Sequence, residues 1–375
     1  MTGAGMASIG GRIDYLDGLR GVAILSVLLY HYCGPTYAAI LGCDGGIFAP
    51  LIARGWVGVQ LFFLISGFVI LMTLEKRRAF GPFLYHRWLR LFPAMLITTI
   101  TLVVFNAATD IPGPHPMRSV LDVIPGLIFV SPSILHAVTH LDIQSLDGVF
   151  WTLYTEMGFY VVFGALYFLA GWRVAVCAIV ILAVVTSTGD AIMATMGVSH
   201  GLRRAIEPLG WMNMHLYGWF ASGALFYKAR QSKSAALFNA AFLLGIATAM
   251  TQTNFIPLQW IDRAILILVV ILFSTAQVSR PLQAALSSRI AMFFGSISYA
   301  LYLLHNEIGV SLIGWGNMTL GRVPPFLVVV SVAAGAVAAA WGVTRYAEPA
   351  VRSLIKHGAH TVSSARMRKR AAIEI

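Results

Sequence analysis

Charge is what this sequence has least of. Only 11% of its 375 residues are Asp, Glu, Lys or Arg, where a soluble domain carries roughly 25%. With 58% hydrophobic residues and a mean hydropathy of +0.79, the balance excludes an ordinary soluble domain and points to a polytopic membrane protein. Cysteine is scarce too: Cys33, Cys43 and Cys177 contain no C-x-x-C pair, which excludes a thiolate metal or redox framework, and no metal is expected. Cys33 and Cys43 stand open to bridging outside the membrane, although membrane packing is expected to hold the fold without it. The N-terminus has no basic stretch leading into an apolar one, because Arg12, Asp14 and Asp17 precede the first apolar run. That run is therefore expected to remain as an anchor rather than be cleaved. Neither an internal repeat nor a low-complexity block is visible, so the two-fold similarity of an inverted-repeat transporter is missing as well.

What is present is a series of apolar segments. A spanning helix takes about 20 mainly apolar residues, and ten segments qualify: 20–39, 56–74, 91–108, 150–170, 174–189, 211–227, 235–251, 263–279, 291–313 and 325–345. The expected fold is all-α, with about ten transmembrane helices. Acidic residues number 15 against 26 basic ones, and the placement of the basic ones explains the surplus. With the N-terminus cytoplasmic, only Arg54, Arg118, Arg203, Arg204, Arg263 and Arg322 fall outside, and the other twenty of the twenty-six fall inside. This asymmetry predicts that both termini are cytoplasmic and accounts for the charge without nucleic acid. Residues 1–350 form the integral-membrane domain and 351–375 a basic cytoplasmic tail facing solvent or lipid. The longest outside segment, about 109–149, is rich in Pro, Asp and His and is expected to carry short helices on the membrane face.

Ionisable groups inside spans cost at least ~2.5–3.5 kcal/mol each and are functional candidates by default. In "DGLRGVAILSVLLYH", Asp17, Arg20 and His31 share one helical face, with Arg20 about −60° and His31 about −40° from Asp17. A rise of about 1.5 Å per residue carries His31 roughly 16 Å beyond Arg20. The plainer alternative is that His31 caps the outer end and Arg20 snorkels. Gln60 and Ser66 lie in the second span; Arg87 and Arg90, three apart, share a face suited to phosphates or equally to solvent. Glu156 sits about one and a half turns into an apolar span and must be paired, protonated or beside a wet cavity. Ser298, Tyr302 and His305 form a polar stripe, read as site or as interhelical glue. Glu348-Pro349 suits a helix stop as well as chemistry, and Trp151, Tyr154 and Trp211 suit an aromatic belt better than sugar stacking.

In this order the stretches "YLDGLRGVAILSVLLYH", "GVQLFFLISGF", "FLYHRWLRLFP", "FWTLYTEMGFY", "GSISYALYLLHNEIG" and "YAEPAVR", spanning 15 to 352, resemble the acyltransferase-3 family of integral-membrane acyltransferases. The family's arginine and histidine fall on Arg20 and His31, its arginine pair on Arg87 and Arg90, and its mid-membrane glutamate on Glu156. The resemblance implies transfer of an acyl group, commonly acetyl, from cytoplasmic acyl-coenzyme A to a hydroxyl of a carbohydrate or glycolipid, in a bacterial inner membrane. Arg20, Arg87 and Arg90 would then hold the donor, with His31 as general base and Glu156 orienting its imidazole. Asp17, Ser66, Ser298, Tyr302 and His305 would support the site or meet the acceptor. Direct transfer and an acyl-enzyme on Ser66, Ser298 or His31 both stay open. Two departures stand out: Gln60 replaces an acid common in relatives, and the chain has no room for a fused hydrolase-like domain. The competing class is a proton-coupled transporter or flippase using Arg20, His31 and Glu156 as a relay.

Overall fold

The structure is a computed structural model and describes residues 13–43, 45–111, 113–196, 207–252 and 258–358. The described residues form helices joined by loops, without a strand. Ten helices matter for the site: α1 (Asp14–Cys33), α2 (Gly58–Leu74), α3 (Phe80–Ala108), α4 (Trp151–Met196), α5 (Tyr217–Ser232), α6 (Ala235–Thr251), α7 (Trp260–Val278), α8 (Arg289–Leu304), α9 (Glu307–Thr319) and α10 (Pro325–Gly342).

Each expected segment is helical, but the boundaries and the count differ from expectation. Among the described residues five helices are long and apolar enough to cross a membrane, or up to seven if each of two bent pairs is one span. Ten is therefore not reached on length and apolarity. A multi-pass membrane protein is nonetheless what these helices make. The two spans expected at 150–170 and 174–189 are one continuous element broken at Gly171, whose φ of 81° lies in the left-handed region that glycine takes without strain. The expected span 291–313 divides between α8 and α9 at His305 and Asn306. The segment expected to carry short helices does so, as Val120–Ile128 and Pro132–Thr139, which meet at 113°.

Two further expectations are corrected. Glu348-Pro349 does not stop a helix, because a π turn at Val343–Ala347 precedes it and the chain stays helical to Gly358. A proline removes one N–H and crowds the carbonyl four residues back, and the wider turn absorbs both effects. Cys33 and Cys43 are joined in a disulfide, Cα–Cα 4.8 Å, so packing is not left to hold the loop 34–42 alone. Of the tail, 351–358 continues the last helix and 359–375 lies outside the described residues.

α2 is apolar on every side, and a helix of that kind belongs in the interior. It lies between α1, α5 and α4 with most of its length buried. Small residues let the backbones close in. On α1 and α8, a Cβ at Gly21 would strike the Ala291 carbonyl and one at Gly295 the Asp17 carbonyl. α1 therefore runs directly along α8 and carries its polar face into the bundle.

Candidate active site

α1 begins at Asp14, six residues before the expected start of the span, so Asp17 and Arg20 belong to its first two turns. Arg20 Nη1 donates to Asp17 Oδ1 at 2.6 Å. Arg20 lines a cavity together with Arg87 and Arg90 from α3, Phe62 and Ser66 from α2, Thr152, Glu156 and Tyr160 from α4, and Ser298, Tyr299 and Tyr302 from α8. The three arginines expected to act together are thus brought together, and Ser66, Glu156, Ser298 and Tyr302 join them.

The arginines have unequal partners. Arg87 is buried; its Nη2 donates to Thr73 Oγ1 at 2.6 Å and its guanidinium lies 6.0 Å from the Tyr160 ring centre. Its Nε and Nη1 have no hydrogen-bond partner among the described residues. Leaving a buried donor unmet costs ~1–3 kcal/mol, so the arrangement suits an anion that is still to arrive. Arg90 is exposed, with its side chain on the same cavity.

Glu156 does not orient His31. It accepts from Ser66 Oγ at 2.5 Å and from Tyr160 OH, within the arginine cavity. It stands there on the same cavity wall as the three arginines. Ser298 Oγ donates back to the Gly295 carbonyl at 2.8 Å, a bond within its own helix. Tyr302 does bridge helices: Thr152 Oγ1 donates to its hydroxyl at 3.0 Å, and that hydroxyl faces the Val149 carbonyl at 3.3 Å.

His31 lies outside the cavity lining. Its ring is turned into the protein, where Nδ1 stands 3.0 Å from the Val27 carbonyl and 3.0 Å from Nε2 of His305. Tyr302 connects the two regions, since it lines the cavity and its ring centre is 5.6 Å from that of His305. The imidazole's neighbour is therefore a second histidine from the polar stripe, not the mid-membrane glutamate.

Sequence reasoning missed the polar cluster beyond this pair. Asp147, fully buried at the start of α4, accepts from Val149 N at 3.0 Å, Asn306 Nδ2 at 2.7 Å and Glu307 N at 3.1 Å. Burial pushes its carboxyl up to about 6. Glu307, 1% exposed, accepts from the His115 backbone N–H at 3.0 Å and faces His115 Nδ1 at 3.2 Å. The hydrogen bond to Glu307 raises the His115 pKa. The signal existed: Glu307 is an acid within an apolar segment, the criterion that selected Glu156. Among the aromatic candidates, Tyr154 is buried with its hydroxyl on Ser145, and Trp151 is exposed. Gln60 is buried and stands apart from the cavity lining.

Comparison with known proteins bears on this arrangement. The signature described as an acyltransferase domain, acyltransferase-3, matches residues 13–345. The chain belongs to the acyltransferase-3 family. Within it, this chain is 26% identical over 165 residues to the peptidoglycan O-acetyltransferase OatA of Listeria monocytogenes, covering 41% of this chain and 24% of that protein. It is 27% identical over 161 residues to a Staphylococcus aureus (strain COL) protein named provisionally as an O-acetyltransferase, covering 40% and 24%. A protein of Acidianus two-tailed virus, named provisionally as an acetyltransferase, is 23% identical over 291 residues, covering 76% and 80%. The chain therefore spans about a quarter of the length of the two bacterial relatives. No solved structure matches it.

Proposed function

We propose that this acyltransferase moves an acyl group, acetyl in the first instance, from cytoplasmic acyl-coenzyme A to a hydroxyl of a carbohydrate or glycolipid, as an O-acetyltransferase of the bacterial inner membrane. The observation that carries the reading is the cavity framed by Arg20, Arg87 and Arg90, in which Arg87 keeps two buried donors free. Guanidinium groups suit phosphate oxygens by charge and by paired donors. The residues fit the coenzyme's phosphates at this mouth, and the donor supplies the activated acyl group. On the His31 side the cavity is lined by Phe62 and Tyr302, whose rings stand edge to face at 6.1 Å.

His31 acts as general base for the acceptor hydroxyl. Imidazole is suited to that role near neutral pH. Glu156, with Ser66 and Tyr160, holds the arginines in a fixed charge balance. The outward placement of the His31 end draws support from the Cys33–Cys43 disulfide two residues past His31, since disulfides persist on the oxidising side of a membrane. Lys228, paired with Glu75 at 2.6 Å, and Arg230, on Tyr15, stand at the Arg20 end, as a cytoplasmic face requires.

The test uses protein purified in detergent. Free coenzyme A thiol should appear from acetyl-coenzyme A when a hydroxyl acceptor is supplied, and mass analysis of surface glycans should show an acetyl-sized loss when the gene is removed. Absence of both, with vectorial movement of a glycolipid in sealed vesicles, would place the chain with transporters instead.

A further inference from the structure

His31 and His305 come from helices that touch at backbone distance, and their hydrogen bonds have a readable direction. His305 is fully buried, and its Nδ1 lies 2.7 Å from the Tyr302 carbonyl oxygen. A carbonyl oxygen only accepts, so Nδ1 of His305 carries the proton. No carboxylate is within hydrogen-bond reach of this ring among the described residues, and a buried imidazolium without one is costly. The ring is therefore neutral, with one proton, and its Nε2 is left as an acceptor. That Nε2 is 3.0 Å from Nδ1 of His31, whose other neighbour, at 3.0 Å, is the Val27 carbonyl. Both neighbours accept, which puts the His31 proton on Nδ1 and the lone pair on Nε2. His31 Nε2 makes no hydrogen bond among the described residues, and its residue is only half-buried.

We propose that His305 is a positioning residue for the transfer reaction: it accepts the Nδ1 hydrogen of His31, fixes that ring's tautomer and plane, and leaves Nε2 as the proton acceptor. The proposal deepens the reading of His31 as base and rests on it. In the step, the acceptor's O–H bond breaks and its proton goes to His31 Nε2 while the oxygen bonds the acyl carbon. The carbon–sulfur bond breaks with its electron pair on sulfur, and the thiolate takes the proton back from Nε2. Throughout, the Nδ1 hydrogen stays hydrogen-bonded, shared between His305 Nε2 and the Val27 carbonyl, so the imidazolium is held as it forms. A carboxylate fills the corresponding place in serine hydrolases; here a neutral ring does so by direction rather than by charge. His305 is itself anchored, because Tyr32 OH donates to its carbonyl at 2.9 Å and Asn306 Nδ2 to Asp147 at 2.7 Å, fixing the turn between α8 and α9.

The experiment uses the full chain in lipid, labelled with ring-15N histidine, with His31 and His305 assigned from the spectra of His31→Gln and His305→Gln. Both rings should be protonated at Nδ1 and bare at Nε2; a proton on His305 Nε2 would reverse the bond and overturn the assignment. In parallel, His305→Met should lower kcat about 10- to 100-fold, the size of a small misplacement of a reacting group, with KM for acetyl-coenzyme A within about two-fold. His305→Gln, which keeps an acceptor near the lost Nε2, should recover most of that kcat. Equal loss in the Met and Gln variants, or no loss in either, would overturn the role. Full activity in His31→Gln would instead remove the base reading, leaving the spectra to decide the pairing by themselves.

Discussion

The two ends of α1 are built to opposite rules. Around Arg20 the cavity is open and cationic, and Arg87 holds buried donors that nothing in the described chain accepts from. Around His31 hydrogen bonds run from ring to ring and on through Tyr32, Asn306, Asp147, Glu307 and His115, and a disulfide closes the adjacent loop. Unmet donors are tolerable where a ligand will meet them, whereas side chains already bonded to one another, even with Asn306 Oδ1 unmet, are set before any ligand comes. Under the proposed function, the difference separates donor binding from chemistry along one helix. The arginine end awaits its partner, and the histidine end arrives already organised.

Substitutions at each end sharpen or break that contrast. The largest effect belongs to His31→Ala, which should lower kcat by about 10²- to 10⁴-fold, the usual size of a general-base contribution. Acetyl-coenzyme A affinity should be preserved, measured by calorimetry on detergent-purified protein. A fall in affinity as large as the fall in kcat would mean the ends are not separate. Next comes loss of the Cys33–Cys43 bridge. A loop of this size is worth about 3 kcal/mol in the chain-entropy account, so the double change C33S/C43S should lower the thermal midpoint and slow turnover while sparing donor binding.

The mirror-image experiment is Arg87→Ala. KM for acetyl-coenzyme A should rise about ten-fold or more with kcat held, and Arg87→Lys should recover little of it because the paired donors are lost. The smallest effect tests the clasp between Glu307 and His115. The folded-state pKa of His115 is raised by its hydrogen bond to Glu307, so the stabilisation is complete below the unfolded value of 6.5 and fades as pH rises through the raised one. Glu307→Gln should therefore depress the midpoint more at pH 6 than at pH 9. A depression of equal size at both would mean that the ion pair contributes nothing. Asp147 works lower down: with its pKa raised from 3.8 to about 6, folding takes up a proton between those values.

Much of this was legible in the residues. Helical angles placed Arg20 and His31 on one face, and the same arithmetic grouped Ser298, Tyr302 and His305, which line the cavity or meet His31. The isolated acid Glu156 was found by its cost in an apolar span, and it does lie beside cations. What escaped was pairing across helices. Nothing in a one-dimensional pattern says that α1 packs on α8 with glycine against carbonyl, and without that packing Glu156 looked the better partner for His31. Span boundaries failed for a related reason: apolar runs mark what lies in lipid, while α1 starts with Asp14 and Asp17 in its first turn and α3 starts at Phe80 with a basic surface. The break between α8 and α9 was hidden because Asn306 leaves the helix only to meet Asp147, 159 residues away.

The bridge between Cys33 and Cys43 ties the maturation of this protein to its surroundings. In the proposed orientation, two thiols made in a reducing interior would travel to the far face before an oxidant could join them, which makes insertion and completion separate events in the life of the chain. A cell that lacks thiol-oxidising machinery in its envelope would then hold the protein in the membrane, fully inserted, with the loop beside His31 still unbridged. Under the proposed function, the decoration of the outer surface would then follow the redox state of the envelope as well as the supply of metabolites within.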